Sequence, residues 1–233
     1  MTGIKISSDL RSRAQVVGVV DSPAALARAL RLAPGAVDLL EIRVDAFALD
    51  TTDLLPALPQ LNSPLIITVR HPAEGGANLL TPAKRRALFA DFLPFATGID
   101  VEMRSVSSLA SIIAAARLRG VSVILSEHHF STMPSEARLN LTIDRAQTAG
   151  ADICKIAALT ETTADLKRLL DLLIGRHRIP CSVMGMGNFG KISRVLFAFT
   201  GSVLSYGYLD QSNASGQWEA TLLRQRLSEI AQR

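Results

Sequence analysis

Short aliphatic runs alternate with longer amphipathic stretches along the chain. The apolar runs lie near 15–20, 37–44, 64–69, 98–103, 121–126, 152–157, 180–184 and 202–206. They are rich in Val and Ile, which predicts strands because β-branched side chains fit a pleated surface. Between them, helical spacing predicts helices over 23–32, 82–93, 134–149, 161–174 and 216–231. Asp21-Ser22-Pro23 and Thr81-Pro82 read as caps followed by a first-turn proline. Pro134 opens the next helix, and Thr160 with Glu161 the one after it. Gly120, Gly150 and Gly175 follow helical runs, where a left-handed residue commonly ends a helix. The count is eight strands and about eight helices, with no Pro- or Gly-rich linker between halves. Alternating β and α elements imply a parallel sheet covered by helices. Eight such units in ~250 residues is the size of a (β/α)8 TIM barrel. A single barrel domain over 1–233 is therefore expected. An open doubly wound sheet would carry a glycine-rich phosphate loop after its first strand, where this chain has Val20-Asp21-Ser22-Pro23. Gly185-Met186-Gly187-Asn188-Phe189-Gly190 has dinucleotide-binding spacing, but near the seventh strand, where it carries little weight.

Composition narrows the class. Aromatics make up 5% of the chain against 48% hydrophobic residues, so the core must be aliphatic. No apolar run approaches the ~20 residues that cross a bilayer. Met1 to Arg13 is polar and lacks the apolar stretch of a signal peptide, so a cytoplasmic protein without membrane contact is expected. The formal charge of +4 is carried by twenty Arg and five Lys against 21 acidic residues. The longest basic run, Lys84-Arg85-Arg86, reads as a solvated helix face, too little for nucleic acid. A mild positive balance suits a small anionic substrate. Cys154 and Cys181 sit inside apolar strand runs and read as buried free thiols. No metal-ligand spacing is present.

Polar residues recur at the C-terminal ends of the strands, where barrel enzymes place their chemistry. Glu41 and Arg43 lie two apart, hence on one face of the second strand. Asp100 and Glu102 do the same on the fourth. The third strand ends in Val69-Arg70, followed by Glu74-Gly75-Gly76. The fifth carries Ser126-Glu127-His128-His129 and the sixth Cys154-Lys155-Ile156. Taken singly, Glu41 with Arg43 reads equally as an ion pair capping the barrel. Asp100 and Glu102 read as ties for neighbouring loops, and His128 as a satisfied core histidine. His128 and His129 alternate in direction, which argues against joint metal ligation. Lys155 is harder to explain structurally, because lysine is seldom buried. On an inward face it would be desolvated and close to Arg43, Arg70 or Arg194. Both effects favour the neutral amine that a Schiff-base nucleophile requires. An amine nucleophile implies a ketone or aldehyde substrate, and a nearby His moves protons at the adjacent carbon. Several arginines imply a carboxylate or phosphate on that substrate. The class is then the Schiff-base lyases: aldolases, transaldolases and dehydratases. Neither a metal nor another cofactor is expected, because a Schiff-base lysine would itself supply the electron sink.

The ordered set of motifs resembles the type I 3-dehydroquinate dehydratases of the shikimate pathway. It comprises Glu41-Ile42-Arg43-Val44-Asp45, Arg70 with Glu74-Gly75-Gly76, Asp100-Val101-Glu102 and Ser126-Glu127-His128-His129-Phe130. Lys155, Met186 through Arg194, and Asn213-Ala214-Ser215-Gly216-Gln217 follow in the family's order. The resemblance implies that Lys155 forms an imine with the C3 ketone of 3-dehydroquinate. It implies that His128 moves the protons and that Glu74 orients His128. Arg194 would clamp the substrate carboxylate, joined by Gln217 from a lid over 206–217. Glu41, Arg43 and Arg70 would bind the ring hydroxyls, with Asn213 in the lid. Met184, Met186, Phe130 and Tyr206 would pack on the ring or simply form core. The family's members are often dimers, so a homodimer is expected. Asn213 and Ser215 replace the Ser and Pro of the family's usual Ser-Ala-Pro-Gly-Gln lid. Gly18 stands where the family often has a small hydroxyl near the ligand. These departures predict weaker binding or a shifted pH profile with the same reaction. A class I aldolase on the same barrel would commonly handle phosphorylated sugars, and no clear phosphate nest is present near strands seven and eight. A silent ligand-binding relative would need neither Lys155 nor His128.

Overall fold

The computed structural model describes residues 14–175, 177–212 and 215–231. β1 (Gln15–Val20) leads into α1 (Pro23–Ala29), where the Ser22 hydroxyl accepts from the Ala25 amide at 3.0 Å. The alternation continues with β2 (Leu39–Arg43), the short α2 (Leu54–Ala57), β3 (Leu65–Thr68) and α3 (Pro82–Phe92). Then come β4 (Ala96–Glu102), α4 (Ala110–Leu118), β5 (Ser122–His129) and α5 (Glu136–Thr148). β6 (Ile153–Leu159), α6 (Thr163–Ile174), β7 (Cys181–Met186), α7 (Gly190–Ala198) and β8 (Leu204–Tyr208) complete eight units. A two-residue strand, β9 (Trp218–Glu219), precedes α8 (Ala220–Ala231).

All strand pairs are parallel, in the order β7-β6-β5-β4-β3-β2-β1-β8-β9. Where β7 meets β8, serine side chains replace a regular ladder. Val203 N donates to Cys181 O at 3.0 Å, Val183 N to the Ser202 hydroxyl at 3.0 Å, and the Ser182 hydroxyl to Leu204 O at 3.0 Å. Buried backbone groups need such partners, and here two buried hydroxyls join β7 to β8 and close the barrel. The result is the (β/α)8 TIM barrel that the alternation predicts.

The barrel has two cores because side chains alternate across each strand. Val17, Val19, Leu39, Ile66, Ile124 and Ile153 fill the barrel interior, while Val16 and Val20 face the helices. Along β2, β5 and β6 the inward positions turn from apolar to polar towards the C-terminal end: Leu39, Glu41, Arg43; Ile124, Ser126, His128; Ile153, Lys155. The aliphatic floor thus supports a polar mouth.

Several expectations need correction. The basic run is not a wholly solvated face: Lys84 is exposed and Arg86 half-buried, but Arg85 is 1% exposed. Ser135, not Pro134, caps α5, and Thr162 with Asp165 forms a capping box on α6. Gly120 and Gly150 are left-handed, with φ of +70° and +75°, but Gly175 is extended at φ −59° and ψ 155°. The last helix starts at Ala220 and not at 216, because Trp218 and Glu219 pair with Gly207 and Tyr208 of β8. Gly18 faces away from the mouth: a Cβ there would meet Leu40 at 3.2 Å and Leu209 at 3.3 Å, both in the outer core. A hydroxyl at this position would therefore not reach a ligand. Cys154 and Cys181 are buried free thiols, side by side in register on the outer faces of β6 and β7. Burial pushes the Cys181 thiol up to about 12 and Cys154 higher still.

Candidate active site

The polar mouth is built on a buried lysine. Lys155 Nζ lies 2.8 Å from Asp100 Oδ2 and 3.4 Å from Glu41 Oε1, with the Tyr206 ring centroid 3.8 Å away. Its nearest charged neighbours are therefore carboxylates, where the sequence suggested arginines. The arginines stand behind them. Arg70 grips Asp100 with both terminal nitrogens, at 3.0 and 2.9 Å, and also donates to Glu102 and to the Ser126 hydroxyl. Burial raises the proton affinity of Asp100, but Arg70 and then Lys155 outweigh it and hold this carboxyl well below the usual range. Asp100, Glu41 and Lys155 are all nearly inaccessible. Such charges persist in a low-dielectric interior only when paired and hydrogen-bonded.

The network continues outside the strands. Arg85 of α3 reaches back under the barrel rim, donating to Val69 O at 2.9 and 2.6 Å, to Glu102 Oε2 at 2.6 Å and to the Ser105 hydroxyl at 2.8 Å. Glu102 thus joins Arg85 to Arg70, and through Asp100 to Lys155. Arg43 is held bidentately by Asp45, at 3.0 and 2.8 Å, and donates to Gly75 O at 2.9 Å. Asp45 also accepts from the amides of Arg70 and Ala77, so it ties β2 to the loop after β3.

That loop carries Glu74 in a turn ended by left-handed Gly75, φ +83°. Glu74 Oε2 accepts from the His128 amide at 3.1 Å and lies 3.0 Å from His128 Nδ1. Its other oxygen is 3.2 Å from Arg104 Nε. Burial, then Glu102, push the Glu74 carboxyl up to about 7. Burial, then Arg70 and Lys155, hold His128 well below the ordinary imidazole value. Glu74 therefore ionises near neutrality beside an imidazole that burial and the neighbouring cations keep neutral. Glu127 and His129 point the other way, as alternation requires: Glu127 binds Arg138 and Thr142 of α5.

Arg194 of α7 completes the mouth. Nε donates to Tyr206 O at 3.0 Å, and Nη1 donates to the carbonyls of Gly185, Gly190 and Gly216 at 2.8 to 2.9 Å. Among the described residues it has no carboxylate partner, and burial pushes this guanidinium down to about 10. The dinucleotide-like glycine pattern has a packing purpose here. A Cβ on Gly190 would lie 2.7 Å from Gly216 Cα, and one on left-handed Gly216, φ +76°, would lie 2.5 Å from Gly187 O. Two glycines back to back let the segment before β9 lie directly on α7, which brings Gln217 to the pocket. Asn213 lies outside the described residues.

These groups open on one cavity of about 110 Å³, lined by Glu41, Arg43, Arg70, Glu74, His128, Lys155, Arg194 and Gln217. Val19, Met184, Met186, Phe130 and Tyr206 supply its apolar walls. The Tyr206 hydroxyl is buried and has no hydrogen-bond partner among the described residues. Among the described residues no group of three His, Cys, Asp or Glu side chains is placed to hold a metal ion, and no helix is long and apolar enough to cross a membrane. Sequence reasoning read Asp100 only as a loop tie and Arg85 as solvated, and missed Arg104. Their signal was faint: a carboxylate in an apolar strand, and arginines whose partners lie far along the chain.

Fold and site together define the class: a (β/α)8-barrel enzyme of the lyase type with a buried lysine at the centre of its pocket. The sequence model of a family described as type I 3-dehydroquinase matches residues 16–233. The catabolic 3-dehydroquinate dehydratase of Acinetobacter baylyi is 31% identical over 206 residues, 83% of this chain and 76% of the relative. The 3-dehydroquinate dehydratase of Methanosarcina mazei is 32% identical over 221 residues, 90% of each chain. The crystal structure of 3-dehydroquinate dehydratase from Geobacillus kaustophilus is similar with a TM-score of 0.85 at 25% identity, covering 95% of this chain and 92% of that one. The chain belongs to the type I 3-dehydroquinase family.

Proposed function

We propose that this chain dehydrates 3-dehydroquinate to 3-dehydroshikimate through a Schiff base on Lys155. The observation that carries this reading is that Lys155, His128 and Arg194 open on one cavity. The Lys155 amine, once it has given up its proton, adds to the C3 ketone, and loss of water gives an iminium. His128 takes a proton from C2, and the electron pair moves into the iminium to give an enamine. Collapse of the enamine expels the C1 hydroxyl, which leaves as water with the proton returned by His128. Hydrolysis of the iminium frees the product and the lysine. Arg194, with no carboxylate partner among the described residues, clamps the substrate carboxylate, and Gln217 closes beside it. Glu41, Arg43 and Arg70 hold the ring hydroxyls, and Asn213 acts from the lid. A single domain and a homodimeric cytoplasmic enzyme complete the proposal, the dimer resting on the family resemblance alone.

A borohydride trap with 3-dehydroquinate tests the scheme: intact mass and peptide mapping should find the reduced adduct on Lys155. Folded protein without an adduct would refute it.

Two further outcomes are expected. Orientation of neutral His128 needs ionised Glu74, and burial places that ionisation at about 7. The rate should therefore rise with pH through neutrality, and Glu74→Gln should abolish this limb and lower kcat by ~10²-fold. A pH–rate profile of both proteins decides it. The orphan Tyr206 hydroxyl is a partner for a substrate hydroxyl. Tyr206→Phe should leave thermal stability unchanged or higher, because a buried unpaired group is removed, while KM rises ~10-fold. An unchanged KM would leave the hydroxyl without a role.

A further inference from the structure

The outer side of β5 faces a second polar recess of about 360 Å³, which meets the barrel mouth only at Glu74 and His128. α5 contributes Arg138 and Arg145 to it, the turn after β4 contributes Arg104, and β5 contributes Glu127 and His129. Three guanidinium groups thus stand against two carboxylates, and both carboxylates are committed. Glu127 is 2.5 Å from Arg138 and also accepts from the Thr142 hydroxyl. Glu74 is shared between His128 and Arg104. The Arg145 side chain makes no ion pair or hydrogen bond with any described residue. The buried Nε2 of His129, on the same wall, has no hydrogen-bond partner among the described residues either. Nε2 stands 3.8 Å from Glu127 Oε1, and burial with Arg138 lowers the proton affinity of His129 against the pull of Glu127.

We propose that this recess binds a small, multiply charged oxyanion, and that its occupant slows the dehydratase from outside the barrel by drawing Arg104 away from Glu74. The charge count sets the ligand. One positive charge is left uncompensated, and a second becomes available only if an anion competes with Glu74 for Arg104. A singly charged anion would gain too little, whereas an oxyanion with two charges takes bidentate bonds from Arg145 and Arg104 together. The link to catalysis rests on the reading of Glu74 as the partner of His128. Glu74 is faced by His128 from β5, by Arg70 after β3, by Glu102 at the end of β4 and by Arg104 beyond it. Burial and Glu102 favour its protonated form; Arg70 and Arg104 oppose them. With Arg104 drawn off, Glu74 holds its proton to higher pH. The pair then loses the carboxylate that orients His128, so kcat falls near neutrality while substrate binding is untouched.

Inorganic phosphate is the probe, used on the full chain at constant ionic strength, because Arg104 and Arg138 are about half exposed and salt screens them. Phosphate should lower kcat at neutral pH by about threefold, the scale of a half-exposed ion pair. KM should stay constant and the loss should vanish at higher pH. Arg145→Ala, outside the catalytic machinery, should keep the rate measured without phosphate and lose the response. Arg104→Ala should show the lowered kcat and shifted limb without phosphate, and Arg104→Lys should restore them in part. Calorimetry reads the site independently: phosphate heat should be present in the parent and absent in Arg145→Ala. Phosphate that raises KM alike in parent and Arg145→Ala would be bound at the substrate's carboxylate site and would overturn the proposal. Absence of heat in folded parent protein would overturn it as well. Should the chain lack dehydratase activity, the borohydride trap fails while the calorimetric comparison still stands.

Discussion

Lys155→Met should abolish turnover, by ~10⁴-fold or more, while the barrel remains folded. The proposed nucleophile has no second lysine beside it among the residues that line the cavity. The fold tolerates its loss because each of its charged partners keeps another. Asp100 retains both terminal nitrogens of Arg70, and Glu41 retains the Thr68 hydroxyl at 2.8 Å. Methionine fills most of the vacated volume and is comfortable against the Tyr206 ring. Steady-state rates, a melting curve and the borohydride adduct together decide the matter. A variant that keeps a tenth of the parent's rate would place the imine off the reaction path.

Arg85→Leu should be the most destabilising single change outside the strands, by ~3–5 kcal/mol. It removes a guanidinium that is 1% exposed and leaves Glu102 Oε2 with the Ser105 hydroxyl alone, at 2.8 Å. In a chain of this size each kcal/mol moves the melting point by ~2–4 °C, so a fall of ~10 °C is expected. The loss should depend on pH with a definite sign. Burial raises the proton affinity of Glu102, but Arg70 and Arg85 outweigh it and hold the carboxyl below its ordinary value. A carboxyl depressed in the folded state stabilises the protein above its unfolded value of ~4.3 and stops doing so as pH falls through the folded value. The gap between parent and variant should therefore be full at neutral pH and close on acidification. Melting curves that stay equally far apart at acid pH would show that lost packing, and not the lost Arg85–Glu102 pair, is responsible.

The particular residues show why some of the site was legible and some was not. Glu41 with Arg43 and Ser126 with His128 were readable because a strand's period of two fixes their common face locally. The same rule separated His128 from Glu127 and His129. Arg85 was misread because Lys84, Arg85 and Arg86 are successive residues on a helix, so they point in different directions. Which of them turns inward depends on a carboxylate within reach, and Glu102 lies 17 positions further on. Arg104 was invisible for the same reason: its partner Glu74 comes from the loop after β3. Gly18 was placed beside the ligand by resemblance, yet strand parity aims it at Leu40 and Leu209.

By itself the sequence determined the eightfold alternation, which polar strand residues share a face, and a lysine that stands out because charge is rare inside apolar strands. The places of His128 and Arg194 at the barrel mouth came from the family resemblance. Only the tertiary structure decided what surrounds them. Carboxylates stand nearest Lys155 and Glu74 is shared between two sides of β5. Serines join β7 to β8, and two glycines set Gln217 over the pocket. Each of these is a contact between distant segments, fixed by closure of the barrel and by the need to pair every buried charge.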